Sequence, residues 1–167
     1  MTDPHIERWR SWLEESIRPH IYTINLHRYV YEELGKITAD RDLPASYFFD
    51  FVIETYAVSQ AVAVRRLADR NQKVISLASL LKGIAAKPSL LTREFYVGLY
   101  DSEDERAADR NFDTHFAGAS KEHLDHRVVA ADLETLRAGA QGVKDYVDQY
   151  LAHLDRAPKA APQAPRA

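Results

Sequence analysis

The sequence predicts an all-α fold, a helical bundle of four to five helices over residues 1–155 followed by a disordered tail. Three observations carry that prediction. First, apolar residues recur at Val129, Leu133, Leu136, Ala140, Val143, Val147, Tyr150 and Leu154. The steps alternate four and three, which draws one stripe down a long amphipathic helix. Second, residues 46–70 are apolar almost all round before Arg65, and a run of about 25 residues is too long for a strand. Third, glycine is scarce and no stretch shows the turn-flanked alternation of a hairpin.

Size and charge narrow the field further. A chain of 167 residues is long enough for one domain with a real core. It has no cysteine, so disulfides and thiolate metal sites are excluded, and a reducing cytoplasm is the expected location. The start, MTDPHIERWRSW, lacks the apolar centre of a signal peptide. No uncharged run reaches the roughly 18 residues that a bilayer span needs, so no membrane contact is expected. The formal charge is −3, and Arg156, Lys159 and Arg166 put +3 on the tail, leaving residues 1–155 at −6. An acidic body offers no broad nucleic-acid surface, so any RNA contact must be local.

Taken in order, Asp3-Pro4 is a cap followed by proline in the first turn, where its missing N–H costs nothing. Ile6, Trp9, Leu13 and Ile17 follow at helical spacing, and Pro19 predicts a kink near residues 16–18. The helix resumes through Ile21, Ile24, Tyr31 and Leu34, and Gly35 marks its expected stop. His20 and His27 share one side of it and read as packed or solvated side chains. Residues 38–44 read as a loop. The apolar run 46–70 is then expected in the middle of the bundle. Its charged end holds Arg65, Arg66, Asp69 and Arg70, where cations suit the last carbonyls.

Ser76 begins a short helix with Leu77, Leu80, Leu81 and Ile84 inward, ended by Lys87-Pro88. Ser89 or Thr92 caps another, and the charged run 101–111 is expected to continue as helix into Phe112 and Phe116, which share a face. Gly118 breaks it. Asp125 caps the long final helix. Residues 156–167 are rich in proline and alanine without large apolar groups, a composition that stays disordered.

Phosphate-binding glycine loops, G-x-S-x-G, H-E-x-x-H and E-x-x-H are all absent. His123, Asp125 and His126 lie close in sequence but lack the second carboxylate–histidine set of a bundle metal site. No metal and no cofactor is expected.

The run VRRLADRNQKVISLASLLKGI, the segment FDTHFAG followed by HLD, and the ending DLETLRAGAQGVKDYVDQYLAHLD together resemble the AbiU-like branch of the HEPN superfamily, over roughly residues 5–155. The resemblance implies a small helical domain of phage-defence and toxin–antitoxin systems, homodimeric, with a site where partner helices meet. It implies either a metal-independent ribonuclease or a non-catalytic module that binds RNA, an antitoxin or another protein.

Active members carry an Arg, four to six residues, then a His, often with a polar residue directly after the Arg. The chemistry is cleavage by attack of a 2′-OH on its own phosphate. A histidine near pKa ~6.5 moves the proton, and an arginine braces the developing charge. Two places fit in part. The ending places His153 with Asp155 beside it, but positions 146–148, where the arginine belongs, are Tyr146, Val147 and Asp148. Arg110, Asn111 and His115 match in full, although so short a pattern also arises by chance. Arg65, Arg66 and Asn111 are the expected RNA contacts, with Arg66 a second candidate brace. A helical enzyme of another kind, with substrate in a histidine-lined pocket between helices, is the third reading.

Overall fold

The computed structural model describes residues 3–41, 47–71, 73–118 and 121–147. Among them there are seven α-helices and no strand beyond a single bridge pairing Thr92 with His123. Helix α1 is Pro4–Ser11, with Asp3 accepting the N–H of His5 as its cap. A wide π-helical turn, Trp12–Ile17, leads directly into α2, Arg18–Arg41. Pro19 has no N–H, and its ring crowds the preceding turn. The turn absorbs this by letting the Arg18 N–H reach Leu13 O, five residues back, so the rod bulges and does not break.

Two expectations shift here. Gly35 does not end α2, which runs on through residue 41, so residues 38–41 of the expected loop are helical. A lone glycine costs a helix only about 1 kcal/mol, and neighbouring turns outweigh it.

Helix α3 is Tyr47–Leu67. It does not sit in the middle of the bundle. Only Ala61 is buried along it, while Phe48, Phe51, Val58 and Val62 are exposed. Its apolar composition was legible, but α2 and α7 cover only part of its circumference.

Helix α4, Leu77–Ala86, starts at Ser76, whose hydroxyl accepts the N–H of Ser79 and donates to Asp69 O at 2.6 Å. It stops at Lys87, where a 3₁₀ turn, Pro88–Leu90, begins. Thr92 caps α5, Arg93–Val97. Helix α6, Glu105–Phe112, continues into a second π-helical turn, Asp113–Ala117. Gly118 closes that turn at φ 79°, a left-handed conformation that suits glycine. Helix α7 is His126–Tyr146, capped by Asp125 as its sequence predicts. Val129 and Ala140 of the predicted stripe are buried along it, and Val147 at its end is too.

One core cluster lies between α1, the first π-turn and α4. Trp9, Ile17 and Leu80 pack together, with Ile6, Trp12, Leu77 and Ile84 around them. The indole of Trp9 rests on Gly83, where an added Cβ would lie 3.0 Å from its Nε1. A second cluster stacks Tyr96, Phe112 and Phe116, the last two at 6.0 Å between centroids. Backbone bonds from Arg93 N to Glu122 O and from Leu124 N to Leu91 O tie the segment before α7 to the start of α5. Among the described residues no helix is long and apolar enough to cross a membrane.

Candidate functional site

The end of α3 and the later half of α7 form the walls of an open cleft of about 440 Å³. Its lining is Arg65, Ala68, Asp69, Arg70, Arg137, Ala140, Gln141 and Lys144. On α7, positions 137, 140, 141 and 144 fall on one helical face. Small Ala68 and Ala140 let the backbones approach, and the long cations rise around them. Among the described lining residues four are cationic and one, Asp69, is a carboxylate; Glu134, outside the lining, pairs with Arg137.

The α3 wall is held by local bonds. Asp69 Oδ1 accepts the N–H of Asn71 at 2.8 Å, and Asn71 Oδ1 accepts that of Lys73 at 3.0 Å. Ser76, almost wholly buried, fixes Asp69 O from behind. Asp69 is therefore a turn-forming carboxylate that also faces the cleft. On α7, Arg137 Nη1 donates to Glu134 and Gln141 Nε2 donates to Asp145 at 2.7 Å. Guanidinium groups present planar, forked donors that match phosphate oxygens, so a cleft with three of them is suited to an oxyanion.

The predicted site residues separate. Arg65 lines this cleft, and Arg66 is exposed but outside the lining. Arg110 and His115 lie on α6 and the second π-turn, both exposed, and neither lines the cleft. Asn111 Nδ2 donates to Tyr96 Oη at 2.7 Å, so its amide braces an aromatic cluster. The acids of the same segment hold Arg93, whose guanidinium donates to Asp109 at 2.6 Å and to Asp113, and lies over Phe112. Those hydrogen bonds, to Asp113 first and then Asp109, push the Arg93 pKa up. The complete Arg110-to-His115 match thus sits in a segment whose other polar groups tie α5 to α6. His153 and Asp155 lie outside the described residues, as does the tail 156–167.

The other candidates divide in the same way. His20 Nε2 meets Ala63 O at 3.1 Å and His27 Nδ1 meets Ser59 Oγ at 3.0 Å, so both histidines join α2 to α3. Asp125 accepts from the guanidinium and the backbone N–H of Arg127, which hold its carboxyl well below the usual carboxylate range. Among the described residues no three His, Asp or Glu side chains gather as a metal site would require. An apolar pocket of about 270 Å³ lies between α4, α5, α6 and α7. Phe95, Phe112, Phe116 and Val129 help line it and no histidine does, so it does not supply the histidine-lined pocket of the third reading.

Sequence reasoning missed Arg137 and Lys144. The signal was present: two cations seven apart with Gln141 between them, beside the apolar stripe. They looked like solvated positions because nothing local announces what stands opposite.

A family model described as AbiU2, of the HEPN type, matches residues 6–166. No curated protein and no solved structure matches the chain.

Proposed function

The chain belongs to the AbiU2 family of HEPN domains, an abortive-infection-related group, and on that premise we propose that it is an RNA-directed protein whose phosphate contact is the α3–α7 cleft. The observation that carries this reading is the convergence of Arg65, Arg70, Arg137 and Lys144 on one cleft. This reading does not require an arginine at positions 146–148 ahead of His153. A brace need not come from four to six residues upstream when α3 supplies guanidinium groups beside the end of α7. In a metal-independent ribonuclease of toxin type, His153 would move the proton of the 2′-OH, with Asp155 orienting it, and an arginine of the cleft would hold the phosphoryl oxygens. His153 follows Lys144 by nine residues in sequence. Arg110 with His115 is the weaker pair, because their segment is committed to holding Arg93 and Tyr96.

A homodimer and an antitoxin or other protein partner accompany this reading through the family. A non-catalytic binding module is the second reading. Tyr146, Val147 and Asp148 where the arginine belongs favour it.

Fluorescence anisotropy with a labelled single-stranded RNA tests the contact. Arg70→Glu with Lys144→Glu should weaken binding by about a hundredfold or more, near 1.4 kcal/mol per tenfold. Wild-type affinity should fall with added salt, by about 0.7 logarithmic units for each tenfold rise in salt per phosphate neutralised. Unchanged affinity in the double variant removes the cleft from the proposal. RNA cleavage in EDTA, lost in His153→Ala and kept in His115→Ala, separates the enzyme from the binding module.

A further inference from the structure

The α2–α3 hairpin meets through polar contacts as well as apolar ones, and leaves further apolar side chains facing outward. At the contact, His20 meets Ala63 O, Gln60 Nε2 donates to Ile24 O at 3.2 Å, His27 meets Ser59, and Tyr31 stacks on Tyr56 at 4.2 Å. Farther along, Leu34 and Thr38 of α2 and Phe49 and Val52 of α3 line one open pocket between the helices. These pairs run in opposite directions, so the helices are antiparallel, and they fix which face each turns to the other.

One residue back from each of these positions lies about 100° around the helix. On α3 the row is Phe48, Phe51, Thr55, Val58 and Val62, all exposed, with Ser59 half-buried at its edge; on α2 it is mixed, with exposed Leu26, Val30 and Ile37 among Pro19, Thr23 and Glu33. In antiparallel helices the same backward step turns both rows to the same side of the hairpin. One residue forward from Gln60 is the buried Ala61, which faces the body. The apolar α3 row and the mixed α2 row therefore share one side, directed away from the described body.

Its extent approaches that of an interface. Phe48 and Phe51 are 62% and 64% exposed, and Leu26, Val30, Ile37, Val58 and Val62 are exposed with them. With aromatic side chains at roughly 200 Å² each and the aliphatic ones smaller, the exposed fractions sum to on the order of 600 Å², toward the roughly 800 Å² that one partner buries in a stable complex.

The α3 row also has an order along its length. Steps of three and four through 48, 51, 55, 58 and 62 make a coiled-coil seam. Large rings occupy its first half and small β-branched groups its second. Two copies crossing antiparallel about Thr55 set Phe48 against the partner's Val62, and Phe51 against the partner's Val58. Each large group then meets a small one, and the surface is its own complement, as two-fold pairing requires. A parallel pairing would set ring on ring and valine on valine.

We propose that this face binds a second copy of the chain, with α3 packed antiparallel on its counterpart and Thr55 at the two-fold axis. The inference gives the expected homodimer its surface and does not depend on RNA contact.

Sedimentation of the full chain should give a dimer. Phe51→Lys should weaken it at least a hundredfold while leaving helical content unchanged, since that ring touches solvent in the monomer. Adding Val58→Glu to that variant should recover at least tenfold at low salt, because the opposite charges meet across the axis. The chain has no cysteine, so Thr55→Cys is a clean reporter: mild oxidation should link two chains through it. Val62→Cys should not link, its two copies standing about 21 Å apart along the helix axis. A chain that stays monomeric at about 100 μM overturns the proposal. So does a dimer that ignores Phe51→Lys, or one linked through Val62→Cys but not Thr55→Cys. RNA affinity of the Phe51→Lys variant, read by anisotropy, keeps this failure distinct from that of the cleft.

Discussion

The body built from α1, α4, α6 and α7 and the hairpin built from α2 and α3 distribute their side chains in opposite ways. In the body, large apolar groups such as Trp9, Ile17, Leu80 and Phe112 are inside. In the hairpin, a histidine–carbonyl contact, a histidine–hydroxyl contact, an amide–carbonyl bond and the Tyr31–Tyr56 stack hold the helices together, while Phe48 and Phe51 face out. Both arrangements come from helical periodicity with similar composition. The difference teaches that periodicity chooses a face, whereas the neighbours available decide whether that face is a core or a contact surface.

Truncating one ring in each region tests the contrast most directly. Phe112→Ala should cost about 3–5 kcal/mol of unfolding free energy, because it opens a cavity in a site that is 2% exposed. Phe51→Ala, measured on the dissociated chain by urea unfolding, should stay within about 0.5 kcal/mol. Equal costs would mean that the hairpin has a core of its own. Next in size is Ser76→Ala. It removes a buried cap and the bond to Asp69 O, for about 1–2 kcal/mol. It should also loosen the cleft wall, so RNA affinity should fall with stability. A stability loss without any change in affinity would detach that wall from the site.

The smallest effect belongs to the start of α7. Asp125 has a depressed carboxyl pKa in the folded chain, against about 3.9 when unfolded. Its contribution is therefore complete above about pH 4 and is lost as pH falls toward the folded value. Acid unfolding between pH 7 and pH 5 should owe nothing to it. In Asp125→Asn the acid-side slope below about pH 4 should flatten slightly, and an unchanged slope would show that Arg127 holds the carboxylate only weakly in solution.

Much of the fold could be read from local chemistry. Asp3, Ser76, Thr92 and Asp125 cap the helices that their types and positions announce. Pro19 signalled a distortion, and a wide turn stands just before it. Each of these depends on a few consecutive residues. The surroundings of α3 were not legible, because an all-round apolar helix fits equally a bundle centre or a surface that another molecule covers. The site was harder still. Arg110, Asn111 and His115 satisfied a spacing, yet Asn111 serves Tyr96 and the neighbouring acids serve Arg93, so the same letters carry packing. Arg65, expected as an RNA contact, lines the cleft. Its companions Arg137 and Lys144 come from a helix about 70 residues away in sequence, and only tertiary contact reveals them.

The seat of Trp9 on Gly83 gives this chain an optical gauge. The ring is 5% exposed, and the glycine leaves it no slack, since a single methyl there would meet Nε1 at 3.0 Å. With Trp12→Phe removing the second indole, the emission of Trp9 will follow any parting of α1 from α4. Gly83→Ala supplies the calibrating displacement, a few tenths of an ångström imposed at one known point.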